Sequence, residues 1–193
     1  MKHNSDYNLA KRIRTGDRAA FRQLVEEYQD RMYGVALGIV RNNEDAMDIT
    51  QEAFLKVHQK IERFEGGSRL YTWMYRIVVN LCIDHTRRTR KRKPVMYDEQ
   101  VIHKNEDAVQ GGDIAPYQLP NPDQALGRKE LIRAVEKAMN KLSSNHRQVI
   151  VLREIEGLSY KEISEILNVS VGTVMSRLHH ARQKMQSSLR RIQ

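Results

Sequence analysis

Apolar residues recur every three or four positions wherever the chain carries enough of them to form a core, and that spacing restricts it to packed helices. Near the C-terminus, Val171, Val174, Leu178, Ala181, Met185 and Leu189 keep this spacing and form one stripe expected to be buried. Near the N-terminus, Phe21, Leu24, Val25, Tyr28, Met32, Val35 and Ile39 do the same behind Asp17, a residue suited to cap a helix start. No segment alternates with the two-residue period of a strand. The fold class that follows is all-α.

The helix boundaries sharpen this reading. A short helix is expected over about Asn8–Arg14, and a second runs from Asp17 to about Gly38. "NNEDAMD" opens a third with carboxylates in its first turns, where the helix dipole favours them, and it continues to about Arg63. Gly66-Gly67 stops the chain, and Ser68 is placed to cap a fourth helix. Later come a helix from about Gln124 to Lys141, then "HRQVIVLREIE", a stop at Gly157, "SYKEISEIL", the turn "NVS" and a long last helix. Helix, three-residue turn, helix is the spacing of a helix-turn-helix unit.

Charge divides the chain into three. Residues 1–93 carry 19 Lys/Arg against 12 Asp/Glu, and residues 125–193 carry 13 against 6. Between them, residues 94–124 hold Lys104 against six acids, together with all four prolines. With almost no apolar periodicity, the segment is expected to be an irregular acidic linker. The expected organisation is an N-terminal helical domain (1–93), the linker (94–124) and a C-terminal helix-turn-helix domain (125–193). A net charge of +9 favours an acidic partner such as nucleic acid.

Three surfaces are candidates for function. On the last helix, Thr173, Ser176, Arg177, His180 and Lys184 oppose the apolar stripe, with Met175, His179 and Arg182 on its flanks. No Asp or Glu follows Glu165. Short polar residues followed by bases suit entry of this helix into a DNA major groove, where a solvated face would usually mix both signs. The helix over 45–63 presents Asp45, Asp48, Glu52, Leu55 and Gln59 opposite its apolar side, either as a solvated surface or as a protein-docking face.

The third is "FEGGSRLYTWMYRIVVN", residues 64–80, with four of the twelve aromatics in its first twelve positions. Leu70, Trp73, Met74, Ile77 and Leu81 form one apolar face, so Trp73 is expected to be at least half buried. Tyr71 and Tyr75 lie beside that face. Aromatics next to Arg76 and Asn80, ahead of the basic run "TRRTRKRK", fit either a core stripe with a solvated end or a surface that stacks unpaired bases.

Several classes are excluded. One cysteine, Cys82, allows no internal disulfide and fits a reducing, cytoplasmic setting. No apolar run approaches the ~20 residues that span a bilayer, and the N-terminus lacks a signal-peptide core. His179 and His180 diverge by about 100° on a helix with no Cys or carboxylate nearby, so no metal site is expected. No nucleophile set or nucleotide motif points to a catalytic residue, a cofactor or a small-molecule substrate.

Taken in order, these blocks resemble a sigma factor of bacterial RNA polymerase, of the small extracytoplasmic-function group, from about Asp6 to Leu189. "DAMDITQEAFLKVHQKIERF" is similar to the family's docking helix for the clamp helices of the largest polymerase subunit. "FEGGSRLYTWMYRIVVNLCIDHTRR" resembles its minus-ten element, and "GLSYKEISEILNVSVGTVMSRLHHARQKM" its minus-thirty-five helix-turn-helix. The resemblance implies core RNA polymerase and promoter DNA as partners, with an anti-sigma factor as regulator. It implies docking through Asp45, Asp48, Gln51, Glu52 and Phe54. It also implies that the loop Phe64, Glu65, Gly66, Gly67 and Ser68 holds an extruded minus-ten base in a small pocket beside Asn80. Tyr71 and Trp73 would hold the strand open, while Arg76, Asn80, Asp84, Arg87 and Arg88 read or grip DNA. Thr173, Met175, Ser176, Arg177, His179, His180 and Arg182 would face the minus-thirty-five groove. The rival reading is a two-domain helix-turn-helix regulator that never docks polymerase, which leaves the acidic face and the aromatic loop without a role.

Overall fold

A computed structural model describes residues 2–92 and 122–190, and every described element is helical. The N-terminal unit holds α1 (Lys2–Arg14), α2 (Arg18–Val40), α3 (Asn43–Lys60) with a 3-10 turn at Ile61–Arg63, and α4 (Leu70–Arg92). The C-terminal unit holds α5 (Pro122–Asn140), α6 (Ser144–Ile150), which runs into a π-helical turn at Val151–Ile155, α7 (Tyr160–Leu167) and α8 (Val171–Leu189). The helix expected from Gln124 therefore begins at Pro122. The remainder of the acidic segment, residues 94–121, lies outside the described residues.

Local chemistry accounts for most helix ends. The Asp17 carboxylate accepts from the N–H groups of Ala19 and Ala20 at 2.9 and 3.0 Å, and pairs with Arg12 at 2.8 Å. The Ala20 and Arg12 bonds hold that carboxyl below its ordinary value. Asn42 caps α3 through Asp45 N–H at 2.9 Å, and Ser170 caps α8 through Thr173 N–H at 3.1 Å. Ser159 and Glu162 form a reciprocal capping box on α7. Asn168 ends α7 at φ 51°, in the left-handed region that asparagine tolerates, so three residues turn the chain into α8.

The start of α4 differs from expectation. Ser68 does not cap it; the Leu70 N–H donates to the Asp6 carboxylate of α1 at 3.2 Å. This is a cap supplied from 64 residues away.

In the N-terminal unit α2 packs against both α3 and α4. Leu24, Met32, Val35, Leu70, Met74 and Val78 are fully buried, each such side chain stabilising by roughly 1.5–3 kcal/mol. Tyr75 is also fully buried, which corrects the expectation that it lies beside the apolar face. Trp73 is only partly buried and packs on Phe64, with ring centroids 5.7 Å apart. Cys82 is buried, and burial pushes its thiol up to about 12. On α8, Val174, Leu178 and Ala181 are buried, but Val171, in the first turn, stays 41% exposed.

The two units form one continuous apolar core, with α2 and α4 contacting α6, its π-helical turn and α7. Gly38 of α2 sits at this junction: a Cβ there would lie 2.7 Å from Val151 Cγ2. Only glycine admits so close an approach.

Candidate nucleic-acid interface

The exposed side of α4 carries Arg76, Asn80, Asp84 and the adjacent pair Arg87 and Arg88, all solvent-facing, with Arg76, Asn80, Asp84 and Arg88 four residues apart. Hence one stripe presents three guanidiniums, an amide and a carboxylate along about three turns of helix, ~18 Å. Guanidiniums pair with phosphate, and the Asn80 amide can donate to and accept from a base edge.

The loop before α4 is shaped by α1, which sequence reasoning missed. Arg14 reaches over to donate from Nε to the Ile61 carbonyl at 3.1 Å and from its terminal nitrogen to the Phe64 carbonyl. Gly66 adopts φ 78° with its Cα hydrogens facing the Tyr7 ring, where a Cβ would lie 3.1 Å away. No local pattern announces these contacts, because each bridges about fifty residues or more. Two expectations for this loop change. Phe64 is 2% exposed and anchors the loop from inside rather than lining its outer surface. The loop's Gly67 and Ser68 share a polar cleft of about 550 Å³ with Arg69, Tyr71 and Thr72, not with Asn80. Asn80 lies ten residues into α4, ~15 Å further along its axis. Loop and asparagine therefore do not share one pocket.

The far wall of that cleft is the C-terminal unit, with Arg153, Ser159, Lys161 and Glu162. Tyr71 Oη donates to Glu162 Oε1 at 2.5 Å and also receives a bond from Arg69 at 3.2 Å. Burial pushes the Glu162 carboxyl up, but bonds from Tyr71 and Ser159 and the charge of Arg69 outweigh it and leave the group below its ordinary value. Glu162 was not singled out from the sequence.

On α8 the structure separates the expected groove-facing residues. Met175, Ser176, His179 and His180 are exposed, while Thr173 and Arg177 are half-buried. Thr173 shares a hydroxyl contact of 2.8 Å with Ser170. His146 of α6 joins this face, its ring 6.5 Å from that of His180, which is in turn 5.6 Å from His179. Burial, then the charges of Lys184, His180 and Arg177, hold His146 below its ordinary value. Arg182 lies apart: it pairs with Glu154 at 2.6 Å on the helix flank, beside an apolar groove lined by Met139, Ile155 and Met185. As placed, it is a neutralised flank residue rather than a free groove cation.

On α3, Asp48, Gln51 and Glu52 are exposed beside Leu55 (64% exposed) and Met47 (54%). Asp45 pairs with His85 of α4 at 3.2 Å, and Glu52 with Lys56 at 2.8 Å. Phe54, expected on the docking face, is instead 8% exposed and packs in the core, at the edge of the buried stripe of Ala46, Ile49, Thr50, Ala53 and Val57. The exposed Met47 supplies apolar surface that the charge pattern hid.

The chain matches two family models: Sigma-70 region 2 over residues 24–92 and Sigma-70, region 4 over residues 132–185. It is 36% identical to the ECF RNA polymerase sigma factor SigW of Bacillus subtilis, over 93% of this chain and 94% of that one. It is 35% identical to the ECF RNA polymerase sigma-E factor of Escherichia coli, over 97% of each. The RNA polymerase sigma-H factor of Pseudomonas aeruginosa is 33% identical over 98% of this chain and 96% of that one. Among solved structures, CnrH in complex with the cytosolic domain of CnrY matches with a TM-score of 0.67 at 25% identity, covering 95% of this chain and 96% of that one. The sigma factor RpoE of Bartonella quintana, in complex with the anti-sigma factor NepR, matches with a TM-score of 0.65 at 25% identity, covering 88% and 96%.

Proposed function

The chain belongs to the extracytoplasmic-function sigma factors of RNA polymerase, and from that premise we propose how its residues divide the work of binding polymerase, choosing a promoter and opening it. The protein is a promoter-specific sigma factor whose partners are core polymerase and promoter DNA. The N-terminal unit docks polymerase through the exposed α3 stripe of Asp48, Gln51 and Glu52, with Leu55 and Met47 adding apolar area. It handles the minus-ten element through α4 and the loop before it. The C-terminal unit reads the minus-thirty-five element through Met175, Ser176, Arg177, His179 and His180.

The α4 stripe is the observation that carries this division. Unstacking a base costs a few kcal/mol per step, and binding the opened strand more tightly than the duplex meets that cost. A track of Arg76, Asn80, Arg87 and Arg88 beside a half-buried Trp73 and Tyr71 provides phosphate contacts and stacking surfaces together. Opening then follows from capture, and the protein works as an initiation factor rather than an enzyme.

No helix among the described residues is long and apolar enough to cross a membrane. Work alongside polymerase places the protein in the cytoplasm. Since RpoE of Bartonella quintana is held by an anti-sigma factor, we extend that mode of control to this chain, with envelope or general stress as the class of signal. The experiment is transcription from a promoter library by core polymerase with and without the protein. Initiation at a defined subset only when it is present supports the reading. DNA binding without any change in polymerase start sites would favour a regulator that does not dock.

A further inference from the structure

The surfaces singled out from the sequence leave α1 without a role, yet α1 holds the loop before α4 at both ends and at its tip. At the start of the loop, Arg14 donates from Nε to the Ile61 carbonyl at 3.1 Å and from a terminal nitrogen to the Phe64 carbonyl. At its end, the Asp6 carboxylate accepts from the Leu70 N–H at 3.2 Å. Between them, the Cδ2–Cε2 edge of the Tyr7 ring abuts Gly66, where a Cβ would lie 3.1 and 3.7 Å from those atoms. A six-residue connection with two adjacent glycines would otherwise sample many shapes. Three charge-assisted hydrogen bonds from one helix give it a single shape.

Contact with Gly66 does not use up the Tyr7 ring. The loop meets one edge of it and not the faces, and the residue stays 43% exposed. A ring that served only to fill space under the loop would be covered by it, as Phe64 is at 2% exposure. The Arg14 guanidinium lies 5.9 Å from the Tyr7 ring centroid, a cation fixed beside the π system. Lys11, which is exposed, falls four positions after Tyr7 and three before Arg14, so all three share one side of α1.

An exposed aromatic ring with a free cation beside it is what single-stranded nucleic acid calls for. The ring stacks on a base whose partner has been removed, and the ammonium takes the adjoining phosphate. Duplex DNA offers the phosphates but not the open base face, so such a site distinguishes the melted strand from the closed one.

We propose that α1 is part of the minus-ten interface: the exposed Tyr7 ring stacks on an unpaired base presented at the Gly66–Gly67 loop, and Lys11 contacts the phosphate beside it. Arg14 and Asp6 keep the loop in register with the ring. This rests on the loop's being a minus-ten contact, and it brings in a helix that lies outside the matched region 2 segment of residues 24–92. Every base has a face to stack, so Tyr7 contributes to capture of the open strand more than to the choice of sequence.

The experiment uses holoenzyme assembled from the full-length protein and core polymerase, on forked promoter DNA with the minus-ten bases of one strand unpaired. Those bases are replaced one at a time by 2-aminopurine, which fluoresces when unstacked and is quenched when stacked on an aromatic ring. Tyr7→Leu keeps apolar cover over Gly66 but has no stacking face, whereas Tyr7→Phe keeps the face. The wild type should quench at least one position. Tyr7→Leu should restore fluorescence there and weaken fork binding about tenfold, with Tyr7→Phe close to wild type. Lys11→Ala should reduce the salt slope of fork binding by about 0.7, and it carries the test should Tyr7→Leu misfold by circular dichroism. Quenching unchanged in Tyr7→Leu, Tyr7→Phe as impaired as Tyr7→Leu, an unaltered slope in Lys11→Ala, or loss of core affinity in Tyr7→Leu would each overturn the proposal. Ser68→Ala and Asn80→Ala report separately on the loop and α4. An effect of either without one from Tyr7→Leu removes only the α1 contact, while no effect from any variant strikes at the minus-ten surface itself.

Discussion

Tyr75 and Glu156, 81 residues apart in sequence, share a hydrogen bond of 2.5 Å between a fully buried ring and an almost fully buried carboxylate. This bond makes Tyr75 a core residue of the whole molecule, and it separates Tyr75 from Trp73, two positions earlier and only partly buried. Tyr75→Ala should cost ~3–5 kcal/mol, the range for large aromatic truncations in cores, and Trp73→Ala distinctly less. Tyr75→Phe should fall between wild type and Tyr75→Ala, because Glu156 keeps Arg31 as a partner. Denaturant unfolding of the three variants checks the order; equal losses for Trp73→Ala and Tyr75→Ala would contradict the burial difference.

Asn80 is exposed at the middle of the α4 stripe and makes no packing contribution that its loss would expose. Asn80→Ala should slow open-complex formation on duplex promoters while leaving the melting temperature within the small range of surface changes, about ±0.5 kcal/mol. A pre-melted bubble should restore part of the loss. Permanganate footprinting beside thermal melts measures both.

Reversing the charges of Asp48 and Glu52 together should weaken binding to core polymerase without unfolding the protein, since both side chains face solvent. The Glu52–Lys56 pair lost in the process is worth only ~0.3–0.5 kcal/mol. Leu55→Ala should also weaken docking, by removing exposed apolar area. Phe54→Ala should act through stability instead. Titration with core polymerase separates the two outcomes.

Arg177 and Arg182 should not behave alike. Arg182 is neutralised by Glu154, so Arg182→Ala should change DNA affinity little, whereas Arg177→Ala should lower it and reduce its salt dependence. Glu154→Ala, by freeing Arg182, should tighten non-specific DNA binding. A salt series on all three variants decides, and a larger loss for Arg182→Ala would place that residue in the groove after all.

His146 provides a pH signature. Its folded value lies below the ordinary 6.5, with burial the largest cause and the cations of α8 next. A depressed histidine contributes stability that is complete above 6.5 and is lost as pH falls through the lowered folded value. Unfolding free energy should therefore decline below pH 6.5, and His146→Gln should flatten that part of the profile. Imidazole resonances followed by NMR should place the titration of His146 below 6.5.

The sequence by itself determined the helices, most of their ends and the helix-turn-helix. Asp17, Asn42, Ser170 and the Ser159–Glu162 box act within three or four residues, and apolar spacing marks the buried side of a helix wherever that side is wide enough. It also set Arg76 and Asn80 beside the aromatics of α4, while Asp84, Arg87 and Arg88 joined that face through the family resemblance. Tertiary structure alone decided the rest. Phe54 and Phe64 read as surface aromatics until neighbouring helices covered them, and Tyr75 read as peripheral until α2 and Glu156 enclosed it. Asp6 caps a helix 64 residues away, Arg14 shapes a loop 50 residues away, and Gly38 is small to admit Val151. Such contacts leave no periodic trace, since what selects each residue is the shape and charge of a partner that only folding brings near.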